Sequence, residues 1–356
     1  MNRIVIWGGR DLGQYVAKQI ELYMRRTAKI VMIVDSDSEL WSKETEYHLV
    51  EPVTQVESIE FDYLLICSRS VDEIVRIAIK EYQIKEEKIL FVTSTWPKFD
   101  SFFPARKLEQ LVFHPIKPNK LTEDLMEEIA KSEGRLNYLG YLYGTDKANI
   151  LKGTDGSFRF AHDYLRHYES LFRDKNKTYK ICEFGCYKGA SLRMWKEFFP
   201  NAQIVGVDID NDAKRIQEDR ISILIGDSSQ SETAKTILND FGKLNLIIDD
   251  ASHAWGSIRL TFERMWDVLD TEGIYIIEDI NCGAQGAYEN CLPVVWDAQS
   301  IFKYILDRAE ILQYCQDYNP EYNAYHFEHV APYIRKIERE IDSICLIHGT
   351  CIIKKY

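Results

Sequence analysis

The stretch that most constrains this chain runs from residue 180 to residue 208. A short apolar run, residues 180–184, ends in a turn carrying Gly185 and Gly189. An amphipathic helix of about three turns follows from near Ser191. A second apolar run, residues 203–207, ends on Asp208. Strand, turn, helix and strand in that order make a βαβ unit with a nucleotide-type loop, since parallel strands need a crossover connection. The glycines let the backbone approach a ligand closely. Asp208 falls where an acidic side chain holds two ribose hydroxyls. The spacing is Glu-x-Gly-x-x-x-Gly rather than Gly-x-Gly-x-x-Gly, with Glu183 inside the strand end. An acid there repels a pyrophosphate and suits a cationic ligand with an amino acid tail.

The loop resembles motif I of the class I S-adenosylmethionine (SAM) dependent methyltransferases. The resemblance implies SAM as cofactor, with Glu183, Gly185, Gly189, Ser191 and Asp208 at its site. Residues 222–225 form a third strand ending in Gly226-Asp227, and in that fold Asp227 sits near the adenine. Residues 244–248 are apolar except for Asn245 and end abruptly in Asp249-Asp250-Ala251-Ser252-His253. Residues 273–277 end in Glu278-Asp279. In a doubly wound methyltransferase sheet these two strands are neighbours, and ligands bind outside the carboxyl ends of such strands. Four acids therefore gather at one rim. Like charges there raise one another's pKa values or push the rim apart, and a divalent cation removes the conflict. Oxygen ligands suit Mg²⁺ or a similar hard ion. Adjacent strand residues point opposite ways, so not all four acids need touch it. Asp250 or Ser252 also has the chemistry to cap the helix that follows. His253 stands at the entry to that helix, where a neutral imidazole can accept a hydroxyl proton.

The pattern Asp-Asp-Ala-Ser-His, followed by Glu-Asp, resembles the MycE-type sugar O-methyltransferases and the cephalosporin-hydroxylase-like methyltransferases. The resemblance spans roughly residue 136 to the end of the chain. It implies Asp250, Glu278 and Asp279 as metal ligands, His253 as general base and Asp249 as an acid on the SAM side. Gly144-Thr145-Asp146-Lys147, with His162, Tyr164 and Tyr168 after it, fits the same family. There the segment closes over the SAM site, which puts Thr145 and Asp146 among the cofactor contacts. Ala251 departs from the family pattern, where glycine is common. Residues 343–347 and 351–355 form a closing hairpin that resembles the end of the class I sheet. The implied reaction is SAM-dependent, metal-assisted O-methylation of a sugar hydroxyl. The implied acceptor is a carbohydrate or glycosylated small molecule, such as a surface glycan precursor.

A chain of 356 residues suggests two domains. The expected fold is α/β: a class I methyltransferase doubly wound sheet with a C-terminal antiparallel hairpin, preceded by a smaller Rossmann-like α/β domain. Strands at residues 4–7, 30–34, 61–67 and 88–92 alternate with helices at 12–26 and 71–82, which predicts a small parallel sheet over residues 1–93. Gly8 and Gly13 match the outer positions of a dinucleotide fingerprint, but Arg10 replaces the middle glycine and obstructs a pyrophosphate. NAD redox chemistry is therefore not expected, although Asp35 is placed to hold a ribose. The module resembles the one at the head of PglD-like glycan-modifying enzymes. That implies a nucleotide or nucleotide sugar there, or a role in assembly with the chain as a homo-oligomer.

Residues 94–120 interleave Pro97, Pro104, Pro115 and Pro118 with Phe99, Phe102, Phe103 and Phe113, and predict a packed linker. Residues 121–356 are then the methyltransferase domain. Residues 281–332 are the expected acceptor lid, with Tyr288, His326 and His329 as contacts. The formal net charge of −12 argues against a nucleic-acid partner, which would demand basic patches. Eight cysteines without paired short spacings argue against zinc or disulfide frameworks and for a reducing, cytoplasmic setting. No signal-peptide layout opens the chain, and no run approaches the length of a membrane span.

Overall fold

The computed structural model describes residues 1–42, 48–95, 110–117, 119–280, 336–337, 339–347 and 349–356. The chain divides into two compact units, Met1–Ser170 and Leu171–Tyr356.

In the first unit β1 (Asn2–Trp7), β2 (Ala28–Asp35), β3 (Val50–Pro52), β4 (Tyr63–Ile66) and β5 (Ile89–Thr95) form a parallel sheet in the order β3-β2-β1-β4-β5. Helices α1 (Asp11–Tyr23) and α2 (Val71–Lys80) provide crossovers. The sheet does not stop at β5. Strand β6 (Gln110–Pro115) pairs antiparallel to it, and β8 (Phe158–Phe160) and β7 (Ile150–Lys152) extend the order to β6-β8-β7. The division expected within residues 94–120 thus falls instead at Ser170/Leu171, and the first unit is nearly as long as the second. The reason is physical. An uncovered β5 would present a row of unpaired amides and carbonyls, and β6 satisfies them. Phe113 of β6, Phe158 and Phe160 then share one core with Leu125, Met126 and Ile129 of α3 (Lys120–Ser132). Helices α4 (Arg135–Tyr143) and α5 (Leu165–Glu169) complete the unit. The remainder of the expected linker, including Pro97, Phe99, Phe102, Phe103, Pro104 and Pro118, lies outside the described residues.

In the second unit the elements follow in chain order: β9 (Lys180–Phe184), α6 (Ala190–Phe198), β10 (Gln203–Asp208), β11 (Ile221–Ile225), α7 (Ser231–Phe241), β12 (Leu244–Asp249), α8 (Trp255–Met265), β13 (Leu269–Ile277), β14 (Ile341–Ile347) and β15 (Thr350–Lys355). The sheet order is β11-β10-β9-β12-β13-β15-β14, with β15 antiparallel to both its neighbours. This is the class I methyltransferase sheet with its closing hairpin. Phe184, Val207, Ile247, Phe262, Trp266, Tyr275 and Ile277 are buried in its core. Strand β9 lies between β10 and β12, so the winding reverses beside it, and the carboxyl ends of β9 and β12 mark the switch point where such sheets take their ligands. No helix among the described residues is long and apolar enough to cross a membrane.

The last strand is fastened by a buried cation. Lys355 is 8% exposed, and its Nζ donates to the carbonyls of Trp266 (3.0 Å) and Leu269 (3.2 Å). Glu340 lies 3.1 Å from the same Nζ and accepts from Trp266 Nε1 at 2.9 Å. The lysine satisfies a carbonyl just beyond the end of α8 that the helix itself leaves open. Lys355→Met would keep the aliphatic stem, take this donor from the two carbonyls and leave Glu340 with the Trp266 indole but without its cation. We expect it to cost about 2–4 kcal/mol of stability in urea unfolding; a change under about 0.5 kcal/mol, the range of ordinary surface substitutions, would contradict this role.

Candidate active site

The loop between β9 and α6 is shaped by its two glycines. Gly185 has φ +80°, and a Cβ there would stand 2.1 Å from the carbonyl oxygen of Asp250. The Asp250 amide in turn donates to the Phe184 carbonyl at 3.1 Å. The nucleotide-type loop and the exit of β12 are therefore in backbone contact, and only a residue without a side chain permits it. Gly189 has φ +76° and packs against Ile216.

Asp208, at the end of β10, reaches across to this loop. Its carboxylate accepts from the Tyr187 amide (3.1 Å) and the Asp210 amide (3.0 Å), and the Cys186 thiol donates to it at 3.7 Å. Tyr187 and Ile209 are both exposed beside it. Asp227 is exposed after β11. The Ser229 hydroxyl (2.7 Å) and amide (2.8 Å) hold its carboxyl below the usual range, the hydroxyl contributing most. Three expected cofactor contacts, Glu183, Ser191 and Asp249, are placed differently. Glu183 is fully buried, and its oxygens accept from the Ser191 hydroxyl and, at 3.0 Å, from Trp195 Nε1. Glu183 and Ser191 thus bond each other beneath the loop. Asp249 is also in the core, 2% exposed, with the Tyr275 hydroxyl 3.4 Å away, and burial pushes its carboxyl up to about 7.

At the ends of β12 and β13 the side chains of Asp250, His253 and Asp279 converge, each offering a ligand atom within 4.8 Å of the others. His253 Nε2 stands 3.9 Å from Asp250 Oδ1 and 3.9 Å from Asp279 Oδ2, beyond hydrogen-bonding range. His253 and Asp279 have φ of +52° and +50°, which non-glycine residues adopt rarely and mostly where the surroundings impose it. Glu278, expected as a ligand, does not join this cluster: it is 1% exposed, and its amide donates to the Asp249 carbonyl. The alternation of side chains at a strand end accounts for the split between Glu278 and Asp279. The capping alternative is not realised at α8, whose N-cap is Ala254 without a side-chain hydrogen bond. The two carboxylates, both partly buried, offer oxygen ligands that fit a hard divalent ion, and the imidazole stands beside them.

In the first unit Gly144 (φ +73°) ends α4, and Thr145 and Asp146 follow it. Thr145 is buried; Asp146 is exposed, 3.9 Å from His162. The amides of His162, Asp163 and Tyr164 donate to the carbonyls of Asp146, Ala148 and Lys147, so the two short motifs run side by side. At the other glycine loop the Asp35 carboxylate is turned back on the chain, accepting from the Gly9 amide (2.6 Å) and the Asp37 amide (2.9 Å). Arg10 is paired with Asp37. Residues 281–335, with Tyr288, His326 and His329, lie outside the described residues.

A family profile described as "C2185-like, N-terminal" matches residues 1–90. The resemblance of this segment to PglD-like modules gains no support from that match. Among curated proteins the chain is 32% identical over 181 residues to mycinamicin VI 2''-O-methyltransferase of Micromonospora griseorubida, covering 49% of this chain and 43% of that protein. It is 30% identical over 178 residues to 8-demethyl-8-alpha-L-rhamnosyl tetracenomycin-C 2'-O-methyltransferase of Streptomyces olivaceus, covering 46% and 44%. The chain thus spans less than half the length of the curated relatives it matches. Among solved structures it is similar to the MycE methyltransferase in complex with Mg and SAH, at 22% identity and a TM-score of 0.48, covering 75% of this chain and 70% of that one.

Gly185 carries the contact between loop and rim. Gly185→Ala combines an unfavourable φ with a collision against backbone, and we expect a loss of about 1–3 kcal/mol in thermal or urea unfolding. A variant as stable as the parent would mean that the loop and Asp250 are not held at this distance.

Proposed function

We propose that this chain is a SAM-dependent O-methyltransferase that acts, with a divalent ion of the Mg²⁺ class, on a sugar hydroxyl of a carbohydrate or glycosylated small molecule. The observation that carries this reading is the Asp250–His253–Asp279 cluster, set at the same rim as the Gly185 loop and joined to it through Asp250. The named activities of the two curated relatives support the sugar as acceptor.

When bound, SAM supplies the methyl group and the divalent ion lowers the pKa of the acceptor hydroxyl. The chain's own residues do the rest. Gly185 and Gly189 let the backbone close on the cofactor, and Asp208 takes the ribose hydroxyls. Asp227 faces the adenine end. Asp250 and Asp279 hold the ion, without Glu278. His253 takes the hydroxyl proton on Nε2. The deprotonated oxygen would then bond to the methyl carbon in line as the carbon–sulfur bond breaks and S-adenosylhomocysteine leaves. In the first unit, the Asp35 carboxylate already bonded to its own loop favours a structural or assembly role over a NAD site.

The test is turnover with a panel of sugar acceptors under metal removal. EDTA is expected to abolish methyl transfer and Mg²⁺ to restore it, while SAM binding measured by calorimetry survives. His253→Ala is expected to lower kcat by roughly 10²–10⁴-fold, the usual contribution of a positioned base. Full activity in EDTA would remove the metal from the mechanism, and a fast His253→Ala enzyme would remove the base.

A further inference from the structure

We propose that Glu183, Ser191 and Trp195 form a buried latch that sets the conformation of the glycine loop, residues 185–190. In this assignment Glu183 is a positioning residue that acts through α6, and it does not touch the ligand. The bearing of the latch on SAM rests on the reading above; the latch itself does not.

Ser191 lies in the first turn of α6 and Trp195 one turn later, so the two side chains share a face of the helix. Both turn inward onto one carboxylate. Ser191 Oγ donates to Glu183 Oε1, and Trp195 Nε1 donates to Glu183 Oε2 at 3.0 Å. All three residues are out of solvent, at 0%, 6% and 0% exposure for Glu183, Ser191 and Trp195. Glu183 sits on β9, paired on both sides by β10 and β12, so the acceptor belongs to a strand held at both edges. The indole is fixed in turn by Phe199, stacked at 6.0 Å, and by Phe172, edge-on at 6.2 Å.

The consequence concerns the intervening chain. Between Glu183 and Ser191 lie two glycines with positive φ, whose backbone freedom would otherwise let the loop take many shapes. The latch ties the strand end to the first two turns of the helix and leaves the loop only one span to bridge. The residue type follows from the donors. A carboxylate offers acceptors on both oxygens, whereas Gln would point an NH₂ at one of the two donors. A negative charge beneath the first turn of a helix is also favourable. The same acid that sequence reasoning aligns with a cationic ligand is thereby accounted for by two neutral donors of α6.

Amide hydrogen exchange on the full-length, ligand-free chain tests this. Ser191→Ala and Trp195→Phe each remove one donor, and Ser191→Thr restores the hydroxyl. Exchange in peptides covering residues 185–190 is expected to quicken by about tenfold or more in the first two variants, the scale of a lost hydrogen bond to a charged group. It should return close to the parent rate in Ser191→Thr, with β12 and β13 unchanged throughout. Calorimetry on the same variants should show SAM Kd rising several-fold, with kcat at saturating SAM preserved. Loop exchange within twofold of the parent in both donor variants would overturn the latch. So would acceleration spread evenly over the sheet in Ser191→Ala, which would make the contact ordinary core stability. If the loop loosens as expected but the parent binds no SAM, the latch stands and the methyltransferase reading falls.

Discussion

The structure of the second unit depends on one close approach, the packing of Gly185 against the backbone of Asp250. Strand pairing brings β9 and β12 together, and the missing side chain at Gly185 lets their carboxyl ends touch. Everything with chemical potential is organised outward from that contact. On one side is the loop bound by Asp208; on the other is the turn that carries Asp250 and His253. In the proposed reaction a methyl donor and an acceptor hydroxyl would have to meet within a few ångströms, and reaction in such a pair gains most of its advantage from orientation. A sheet that places both half-sites on adjacent strand ends supplies that orientation through backbone rather than through long side chains.

The second unit was largely legible in the sequence because its central strands β9, β10 and β12 are buried on both faces. Such strands read as continuous apolar runs, and the acids that end them stand out. The first strand was expected at residues 180–184 and is found there, and the closing hairpin differs from expectation by one or two residues at its start. The first unit was less legible. Strands β7 and β8 have three residues each, too few for a period of two to register, and β6 contains Pro115 in a proline-rich stretch. Their place in the sheet comes from the long-range pairing of β6 with β5 and of β8 with β6, which no local pattern announces.

Within the site, spacing located the residues but not the direction of their side chains. Asp249 and Asp250 are neighbours in sequence, yet one is in the core and the other at the rim, and Glu278 and Asp279 divide in the same way. Alternation at a strand end predicts such a split; which member faces outward depends on where the strand terminates and on the turn that follows. Trp195 escaped notice for another reason. Its indole N–H matters because it meets Glu183, and a helical tryptophan in an apolar stripe looks like any other core residue.

The central claim is that Asp250 and Asp279 hold a divalent ion at the rim beside the glycine loop. A crystal of the protein grown with Mn²⁺ and S-adenosylhomocysteine, examined by anomalous diffraction, tests it most directly. The account predicts one strong peak within about 2.5 Å of a carboxylate oxygen from each of Asp250 and Asp279. A peak elsewhere, or none between these two side chains in a chain folded as described, would contradict it.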